Sequence, residues 1–406
     1  MSLSGDPAVA GVLAAPRLWP ARVTIDLDAI AHNVGVLREH VGGAALMAVV
    51  KADAYGHGLV PSARAALAGG ACSLGVAQAS EAVALRRAGV TDPVLTWLVA
   101  PGMDLAPLVE QDIEVAASTP WTLQALAEAA RATGTVAVTQ LKVDTGLGRN
   151  GASALPLPSR DQGTDWNDLV ALAVRLSAEG VLRVKGIFSH FAYADAPGHP
   201  TVRAQQATFA EAVALAERAG LEPEVRHLSN SAATLTSPEA TWDMVRPGLS
   251  VYGLSPVPDV GSAADFGLRP AMRVSADVAV VKRLPAGQGV SYGHTYAVDH
   301  ESTFVDVPLG YADGVPRHAS NAGPVQVAGA RRRVSGRVCM DQFVVDVGDD
   351  PVVVGDEVVL FGSGEDSEPT AQEWADAAGT ISYEIVTRFG PRVPRHYVGT
   401  LAGELA

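Results

Sequence analysis

The sequence predicts an α/β plus β protein, with an N-terminal (β/α)8 TIM-type barrel and a C-terminal, mostly antiparallel β domain. Between about residues 45 and 252, short β-type runs alternate with Ala-rich amphipathic runs, and after about residue 268 strands follow one another across Gly, Pro and Asp turns. Alternating strands and helices form parallel sheets with right-handed crossovers, and about eight such units favour a closed barrel over an open sheet.

The chain length of 406 residues also exceeds the usual size of one domain. We therefore expect a flexible N-terminal tail over residues 1–20, the barrel over 21–267 and the β domain over 268–406. The early run ARVTIDL, at 21–27, is a strand candidate that fits either domain.

The barrel strands are predicted at short runs of aliphatic and β-branched residues, namely 47–51, 73–77, 94–98, 113–118, 138–144, 184–190, 225–230 and 245–253. Amphipathic helices are predicted between them at 80–89, 120–134, 168–180 and 201–220. Ser, Thr or Asp near the start and Gly at the end of these runs fit helix caps. Residues 155–166 are expected to form an inserted loop.

The second domain is predicted to contain mainly strands, at 272–284, 302–310, 325–329, 333–340, 342–348 and 356–362. The run TAQEWADAAG, at 370–379, predicts one clear helix. Consecutive strands separated by turn residues are typical of antiparallel sheets.

Composition excludes several classes of function. The net charge of -14 argues against nucleic acid or an anionic membrane as the main partner, because both require clustered Lys and Arg. No apolar run reaches the length of a membrane span, and residues 1–20 lack the basic start of a secretion signal. Cys72 and Cys339 lie far apart and outside any Cys/His cluster, so we expect no metal site and a cytoplasmic protein.

Reactive side chains cluster at the predicted carboxyl ends of the barrel strands, where the chemistry of such barrels takes place. Lys51 ends the first strand, and a lysine in that position is by itself more often a solvated side chain. Further polar residues follow the later strands, however: Lys142, Asp144, Arg149, His190, Asn230, Ser231, Arg246 and Gly248. Their shared location makes a functional rim the better interpretation.

A lysine at a barrel mouth either binds an anion or acts as a nucleophilic amine, since partial burial lowers an ammonium pKa. The second role suggests pyridoxal phosphate, which bonds to lysine and serves as an electron sink. The phosphate would need donors, which LSNSAA offers at a possible helix start. Gly248 in RPGLS would let an anion approach the backbone.

Nine motifs together resemble those of the alanine racemases, a family of pyridoxal-phosphate enzymes. They are AVVKADAYGHG, LKVDTGLGRNG, FSHFAYAD, HLSNSAA, VRPGLSVYG, SYGHTY, LGYADG, RVCMDQFVVDV and ISYEIVTRFGPRVPR, in the order found in that family, and they span about residues 21–398. The resemblance implies interconversion of L-alanine and D-alanine, which supplies D-alanine for peptidoglycan.

By this resemblance, Lys51 bonds covalently to the cofactor and is one of two catalytic bases, and Tyr292 is the other. Racemisation removes the α-proton from one face of a planar intermediate and returns a proton to the opposite face, so two bases are needed. A tyrosine with an ordinary pKa near ~10 is a poor base and needs neighbouring support. The family residue that matches His190 gives such support, although on sequence alone His190 could be a core histidine.

The resemblance places Arg246 opposite the pyridine nitrogen of the cofactor. Arginine cannot accept a proton, so that nitrogen would stay neutral and the electron sink would be weaker. The other cofactor contacts that the resemblance implies are Tyr55, Asn230, Ser231, Gly248, Leu249 and Tyr383. Trp97 is expected either to line the cofactor pocket or, more readily, to pack in the core.

Substrate contacts follow from the same resemblance. Arg149 would bind the substrate carboxylate in its planar fork. Met340 would help through its backbone N–H, while Tyr311 and Asp341 would border a narrow entrance. Lys142 is often carbamylated in relatives, which would turn a cation into an anion beside Arg149. An unmodified Lys142, repelled by Arg149, remains the alternative.

Tyr292, Tyr311 and Met340 fall in the second domain, whereas Lys51 falls in the first. The resemblance accounts for this with a head-to-tail homodimer, in which the β domain of one chain completes the active site of the other. The alternatives are a serine or broad-specificity racemase, a basic-amino-acid decarboxylase, and a non-catalytic pyridoxal-phosphate carrier. Decarboxylases place an acidic residue where this chain has Arg246, and carriers lack the second domain.

Overall fold

The predicted barrel is present in the computed structural model, which describes residues 18–157, 159 and 163–404. In chain order the first elements are β1 (Ala21–Asp26), α1 (Leu27–Val41), β2 (Ala45–Val49), α2 (Lys51–Tyr55), α3 (Leu59–Ala68), β3 (Ser73–Gln78), α4 (Ala79–Arg87), β4 (Val94–Leu98), α5 (Ala106–Glu110), β5 (Glu114–Ala117) and α6 (Pro120–Thr133). Then follow β6 (Ala137–Asp144), β7 (Ala152–Ser153), α7 (Trp166–Ala178), β8 (Leu182–Phe188), α8 (Pro200–Arg218), β9 (Val225–Asn230), α9 (Ser231–Thr236) and β10 (Met244–Arg246).

The barrel strands are all parallel, in the order β2-β3-β4-β5-β6-β8-β9-β10, and the circle closes where β10 pairs with β2. The structure therefore confirms the fold class. Its strand bounds agree with the sequence prediction within a few residues at most positions. Residues 1–17 of the predicted tail and residues 158 and 160–162 of the predicted loop lie outside the described residues.

Two rim positions differ from the prediction. The first strand ends at Val49, so Lys51 begins the turn that follows the strand. The eighth strand was predicted to reach residue 253 but ends at Arg246, and a 3-10 turn follows at Leu249–Tyr252. Pro247 explains this early end, because proline has no N–H to donate to a neighbouring strand. Gly248 thus lies just beyond the strand.

The turn α2 is left-handed, since residues 52–55 all have φ between 53° and 55°. Such a conformation costs about 1–2 kcal/mol for each residue that carries a Cβ. Hydrogen bonds hold it in place: the backbone N–H of Ala52 donates to Glu81 (2.6 Å), and His57 Nδ1 bonds the carbonyls of Ala54 (3.0 Å) and Tyr55 (3.1 Å). The strained turn thereby fixes the directions of Lys51 and Tyr55.

The C-terminal domain is mainly antiparallel, as predicted. Its elements are β11 (Met272–Asp277), β12 (Val280–Leu284), β13 (Gly289–Val290), β14 (Tyr296–Ala297), β15 (Ser302–Val307), β16 (Pro324–Val327), β17 (Ala330–Arg333), β18 (Phe343–Gly348), β19 (Glu357–Phe361), α10 (Ala371–Ala378), α11 (Ser382–Thr387), β20 (Arg395–Val398) and α12 (Thr400–Glu404). The main sheet has the order β17-β16-β19-β11-β1-β20, and β12, β15 and β18 form a second sheet. The early strand β1, which the sequence left open between the domains, therefore pairs in the C-terminal sheet.

Three predictions for this domain were wrong. The single strand predicted at 272–284 is two strands in different sheets, β11 and β12. Residues 333–340 form no continuous strand beyond Arg333 and make only an isolated bridge from Val334 to Val345. The sequence also predicted one helix, whereas α11 and α12 follow α10. Among the residues described, no helix is long and apolar enough to cross a membrane.

We predict that Ala52→Gly raises the stability of the protein by about 0.5–1 kcal/mol, because glycine adopts a positive φ without the steric cost that alanine carries. The matched control is Ala207→Gly, at an exposed position inside the right-handed helix α8, which should lower stability by about 1 kcal/mol. Thermal unfolding of both variants measures the difference. Equal destabilisation by the two substitutions would contradict the strain assigned to α2.

Candidate active site

A cavity of about 530 Å³ opens at the carboxyl ends of the barrel strands. Residues of β2, β4, β6, β8, β9 and β10, or of the turns that follow these strands, line most of it. Helix α11 of the C-terminal domain lines one side through Tyr383, Glu384 and Thr387, together with its N-cap residue Ile381. The cavity is therefore formed by both domains of the same chain.

Most of the predicted site residues meet in this cavity: Lys51, Tyr55, Trp97, Lys142, Arg149, His190, Asn230, Ser231, Arg246, Gly248 and Tyr383. Leu249 is fully buried and begins the 3-10 turn after Gly248. Trp97 has both of the expected environments, since it lines the cavity and also packs on the apolar core.

Five predicted residues are absent from the cavity lining, namely the buried Leu249 and four residues of the C-terminal domain. Tyr292, Tyr311, Met340 and Asp341 belong to the C-terminal domain, and the cavity lining includes none of them. Their side chains are exposed: Tyr292 is 69% exposed and Met340 53%. Tyr292 instead lines a second cavity of about 510 Å³ formed by the β12-β15-β18 sheet and the segment around β13.

The barrel cavity contains a surplus of positive charge, contributed by Lys51, Lys142, Arg149 and Arg246. Burial and the charge of Arg149 lower the pKa of Lys51. Burial, followed by Arg149 and Arg246, lowers the pKa of Lys142 to about 8. The carboxylate of Asp144, which accepts the backbone N–H groups of residues 146–148, is one negative charge that opposes the lowering of the Lys142 pKa against these four cations. The site is therefore suited to an anionic ligand.

Arg246 is buried and, within the part of the chain that the structure describes, donates only to neutral acceptors. Its guanidinium donates to the carbonyl of Ser189 (2.6 Å) and to Nδ1 of His227 (2.9 Å), with a longer contact to Nδ1 of His190 (3.5 Å). Burial and the charge of Arg246 lower the pKa of both histidines well below the usual value, so both are neutral at pH 7. A neutral histidine that accepts at Nδ1 carries its proton on Nε2.

The opposite end of the cavity presents hydroxyl and amide groups. Ser231 Oγ accepts from the backbone N–H groups of Gly248 (2.8 Å) and Ser250 (3.3 Å). A Cβ on Gly248 would lie 2.2 Å from the hydroxyl oxygen of Tyr55, so any other residue there would displace the Tyr55 phenol. Burial raises the pKa of Tyr383 to about 12, and it also raises that of Tyr55. Both phenols therefore remain hydrogen-bond donors.

Sequence reasoning did not single out Phe188 or His227. Phe188 lies beneath two cations, with its ring centroid 5.6 Å from Lys142 Nζ and 5.3 Å from Arg246 Cζ. It stacks on His227 with the two ring centroids 5.0 Å apart. Both residues lay in predicted strands, and the available signal for His227 was a titratable residue inside the strand VRHLSN.

Comparison with known proteins identifies the family. The model "Alanine racemase, N-terminal domain" matches residues 25–256, and "Alanine racemase, C-terminal domain" matches residues 271–397. The chain belongs to the alanine racemase family.

Individual relatives agree over nearly their whole length. The alanine racemase of Frankia casuarinae is 57% identical over 374 residues, which are 92% of this chain and 95% of that protein. The structure of alanine racemase from D-cycloserine-producing Streptomyces lavendulae has a TM-score of 0.92 at 52% identity, covering 96% of this chain and 99% of that one. The alanine racemase structure from Streptomyces coelicolor A3(2) has a TM-score of 0.90 at 55% identity, covering 94% and 99%. The family resemblance of the nine motifs is thus confirmed.

Proposed function

We propose that this protein interconverts L-alanine and D-alanine with pyridoxal 5'-phosphate bound in the barrel cavity, and that it supplies D-alanine for peptidoglycan in the cytoplasm. Family membership supports the reaction. The observation that carries the proposal is the convergence, in one cavity, of a lysine with a lowered pKa, a buried arginine and a hydroxyl-lined pocket beside Gly248.

The residues present fit the cofactor. Lys51 would bond to it covalently, and Arg246 would face the ring nitrogen. The phosphate would lie among Tyr55, Asn230, Ser231, Gly248, Leu249 and Tyr383, where backbone and hydroxyl donors converge, while Trp97 and His190 would line the ring. When bound, pyridoxal phosphate acts as an electron sink that makes the α-hydrogen of an attached amino acid acidic.

The side chains of the cavity then have separate tasks. The lowered pKa of Lys51 makes its neutral amine more available, which lets this group accept and return a proton at the α-carbon. Arg149, exposed at the cavity mouth, would bind the substrate carboxylate through its planar fork. Arg246 cannot take a proton, so it would leave the ring nitrogen of the bound cofactor neutral and would limit the strength of the electron sink.

The second base would be Tyr292 of the partner subunit. Tyr292 is exposed and lies outside the cavity of its own chain, as do Tyr311, Met340 and Asp341. A homodimer that shares its sites would bring these residues to the mouth of the neighbouring barrel. Two bases on opposite faces of the α-carbon account for inversion, because a single fixed base reaches only one face.

Lys142 is proposed to be carbamylated. Its pKa of about 8 leaves part of the amine neutral at pH 7, and the neutral nitrogen attacks the carbon of CO2 and releases a proton. The resulting carbamate would neutralise part of the surplus positive charge next to Arg149 and orient that guanidinium toward the substrate.

We predict that the wild-type holoenzyme in D2O converts L-alanine to D-alanine that carries deuterium at the α-carbon. Tyr292→Phe should lower inversion by at least about 100-fold, because a positioned acid–base group contributes about 10²–10⁴. This variant should still exchange the α-hydrogen of one enantiomer, through Lys51. Chiral chromatography measures inversion, and mass spectrometry measures deuterium incorporation at the α-carbon. Parallel assays with L-serine and L-lysine test the alternative substrates.

The control for that experiment is Tyr296→Phe, which removes a phenol from the same SYGHTY motif. Tyr296 donates to Asp346 (2.8 Å) within its own domain, so this variant should keep near wild-type inversion. Cofactor absorbance without inversion in the wild-type protein would contradict the proposed function and favour a carrier.

We predict that Lys51→Ala and Tyr292→Ala chains, each inactive alone, regain about a quarter of wild-type activity when equal amounts exchange subunits. Random pairing places one intact site in about half of the dimers. The racemase activity of the mixture measures this recovery. Different affinity tags on the two chains are used to monitor subunit exchange. No recovery despite proven exchange would rule out shared sites.

We predict that ¹³C-bicarbonate gives the holoenzyme a carbamate carbon resonance in NMR, and that this signal grows from pH 7 to pH 8.5 as Lys142 loses its proton. Lys142→Met should abolish the signal. The control is Lys282→Met, which removes an exposed lysine of β12. A signal that survives Lys142→Met, or no signal in the wild type, would refute carbamylation at this position.

A further inference from the structure

A chain of polar side chains crosses the interior of the barrel behind Arg246. The guanidinium donates to Nδ1 of His227 (2.9 Å), and Nε2 of His227 bonds Oε1 of Gln140 (2.5 Å). Nε2 of Gln140 donates to Glu114 (2.5 Å), and Lys185 forms an ion pair with the other carboxylate oxygen of Glu114. Each of the five residues lies on a different strand. The strands are β5, β6, β8, β9 and β10, which are neighbours along one side of the barrel.

We call this hydrogen-bonded chain from Arg246 to Lys185 the relay. Its donors and acceptors can be arranged consistently in only one order. Arg246 has no acceptor atom, so His227 must accept at Nδ1 and carry its proton on Nε2. Gln140 must then turn its oxygen toward His227 and its NH2 group toward Glu114, which as a carboxylate only accepts. The three middle residues, His227, Gln140 and Glu114, are all buried, so a reversed bond would leave unpaired groups without water to replace the partner.

We propose that Glu114 and Gln140 are positioning residues for Arg246, which they reach through His227. They hold the imidazole so that its Nδ1 lone pair faces the guanidinium, and this contact helps to aim Arg246 into the cavity. The consequence for catalysis rests on the proposed function, in which Arg246 faces the ring nitrogen of the cofactor. The order of hydrogen bonds does not depend on that function.

Glu114→Gln should reverse this order. The ammonium group of Lys185 only donates, so the new amide would turn its oxygen toward Lys185 and its NH2 group toward Gln140. The amide of Gln140 would have to rotate and direct its own NH2 group at Nε2 of His227. His227 would then meet a donor at each ring nitrogen, and its contact with Arg246 would weaken.

Two further variants separate this effect from simple loss of an ion pair. Lys185→Met removes the same ion pair, but Glu114 still accepts from Gln140, so the order is kept. In the double variant Glu114→Gln with Lys185→Met, nothing forces the new amide oxygen away from Gln140, and the original order can form again. If Glu114 only stabilised the fold, the double variant would lose at least as much kcat as either single variant.

The experiment measures ring ¹⁵N chemical shifts of histidine in the holoenzymes, with His227 assigned by its loss in His227→Asn, together with kcat and KM. We expect Nε2 of His227 to be protonated in the wild type, in Lys185→Met and in the double variant, and this state to be depleted in Glu114→Gln. Glu114→Gln should lower kcat about tenfold, equivalent to about 1.4 kcal/mol, at near-constant KM. The other two variants should stay within about twofold of the wild type.

A wild-type His227 protonated on Nδ1 would overturn the proposed order, and this measurement needs no variant beyond the one used for assignment. Equal losses of kcat in Glu114→Gln, Lys185→Met and the double variant would contradict the positioning role and leave these residues with a role in fold stability only. If Glu114→Gln is too unstable to purify, Gln140→Met interrupts the relay next to His227, and an unchanged kcat there would refute the proposal. A wild-type enzyme that does not invert alanine would refute the proposed function alone, because the ¹⁵N spectrum still tests the relay.

Discussion

The buried positive charge of Arg246 is the constraint on which the rest of the site depends. A buried cation is costly unless all its donors are satisfied, and here its hydrogen-bond acceptors are carbonyls and neutral imidazoles rather than a carboxylate. These contacts fix the protonated nitrogen of His190 and of His227. They also leave the cavity with surplus positive charge, which favours an anionic ligand.

The strained turn α2 sets the directions of the Lys51 and Tyr55 side chains at the same rim of the barrel. A right-handed turn after β2 would send the side chains of Lys51 and Tyr55 in different directions from those observed. The left-handed turn instead puts the Tyr55 hydroxyl against the backbone of Gly248, which follows β10 beside the end of β2. Glu81 and His57 stabilise that conformation from both ends. The conformational free energy of the left-handed turn is therefore offset by residues that do not line the cavity.

The sequence was sufficient for the fold and for most of the cavity, because strand–helix alternation sets the barrel and the rim residues follow the strand ends. It did not predict the handedness of α2, since KADAY has ordinary helix-forming residues and the bonds that hold the turn come from Glu81 and His57. It also missed the relay behind Arg246. Gln140 and Glu114 lie within two different strands, and only the closed barrel shows that they face each other.

The position of Tyr292 follows from how the two domains are joined. Strand β1 lies in the C-terminal sheet and runs directly into α1, whose first turn is capped by Asp26. Arg395 of β20 also donates to the carbonyl of Gly56, just after α2. These links hold the main C-terminal sheet against the start of the barrel, while Tyr292 lies beside the second sheet and outside the barrel cavity. A second base supplied by that domain would therefore act on the barrel of another copy, as in the shared site proposed above.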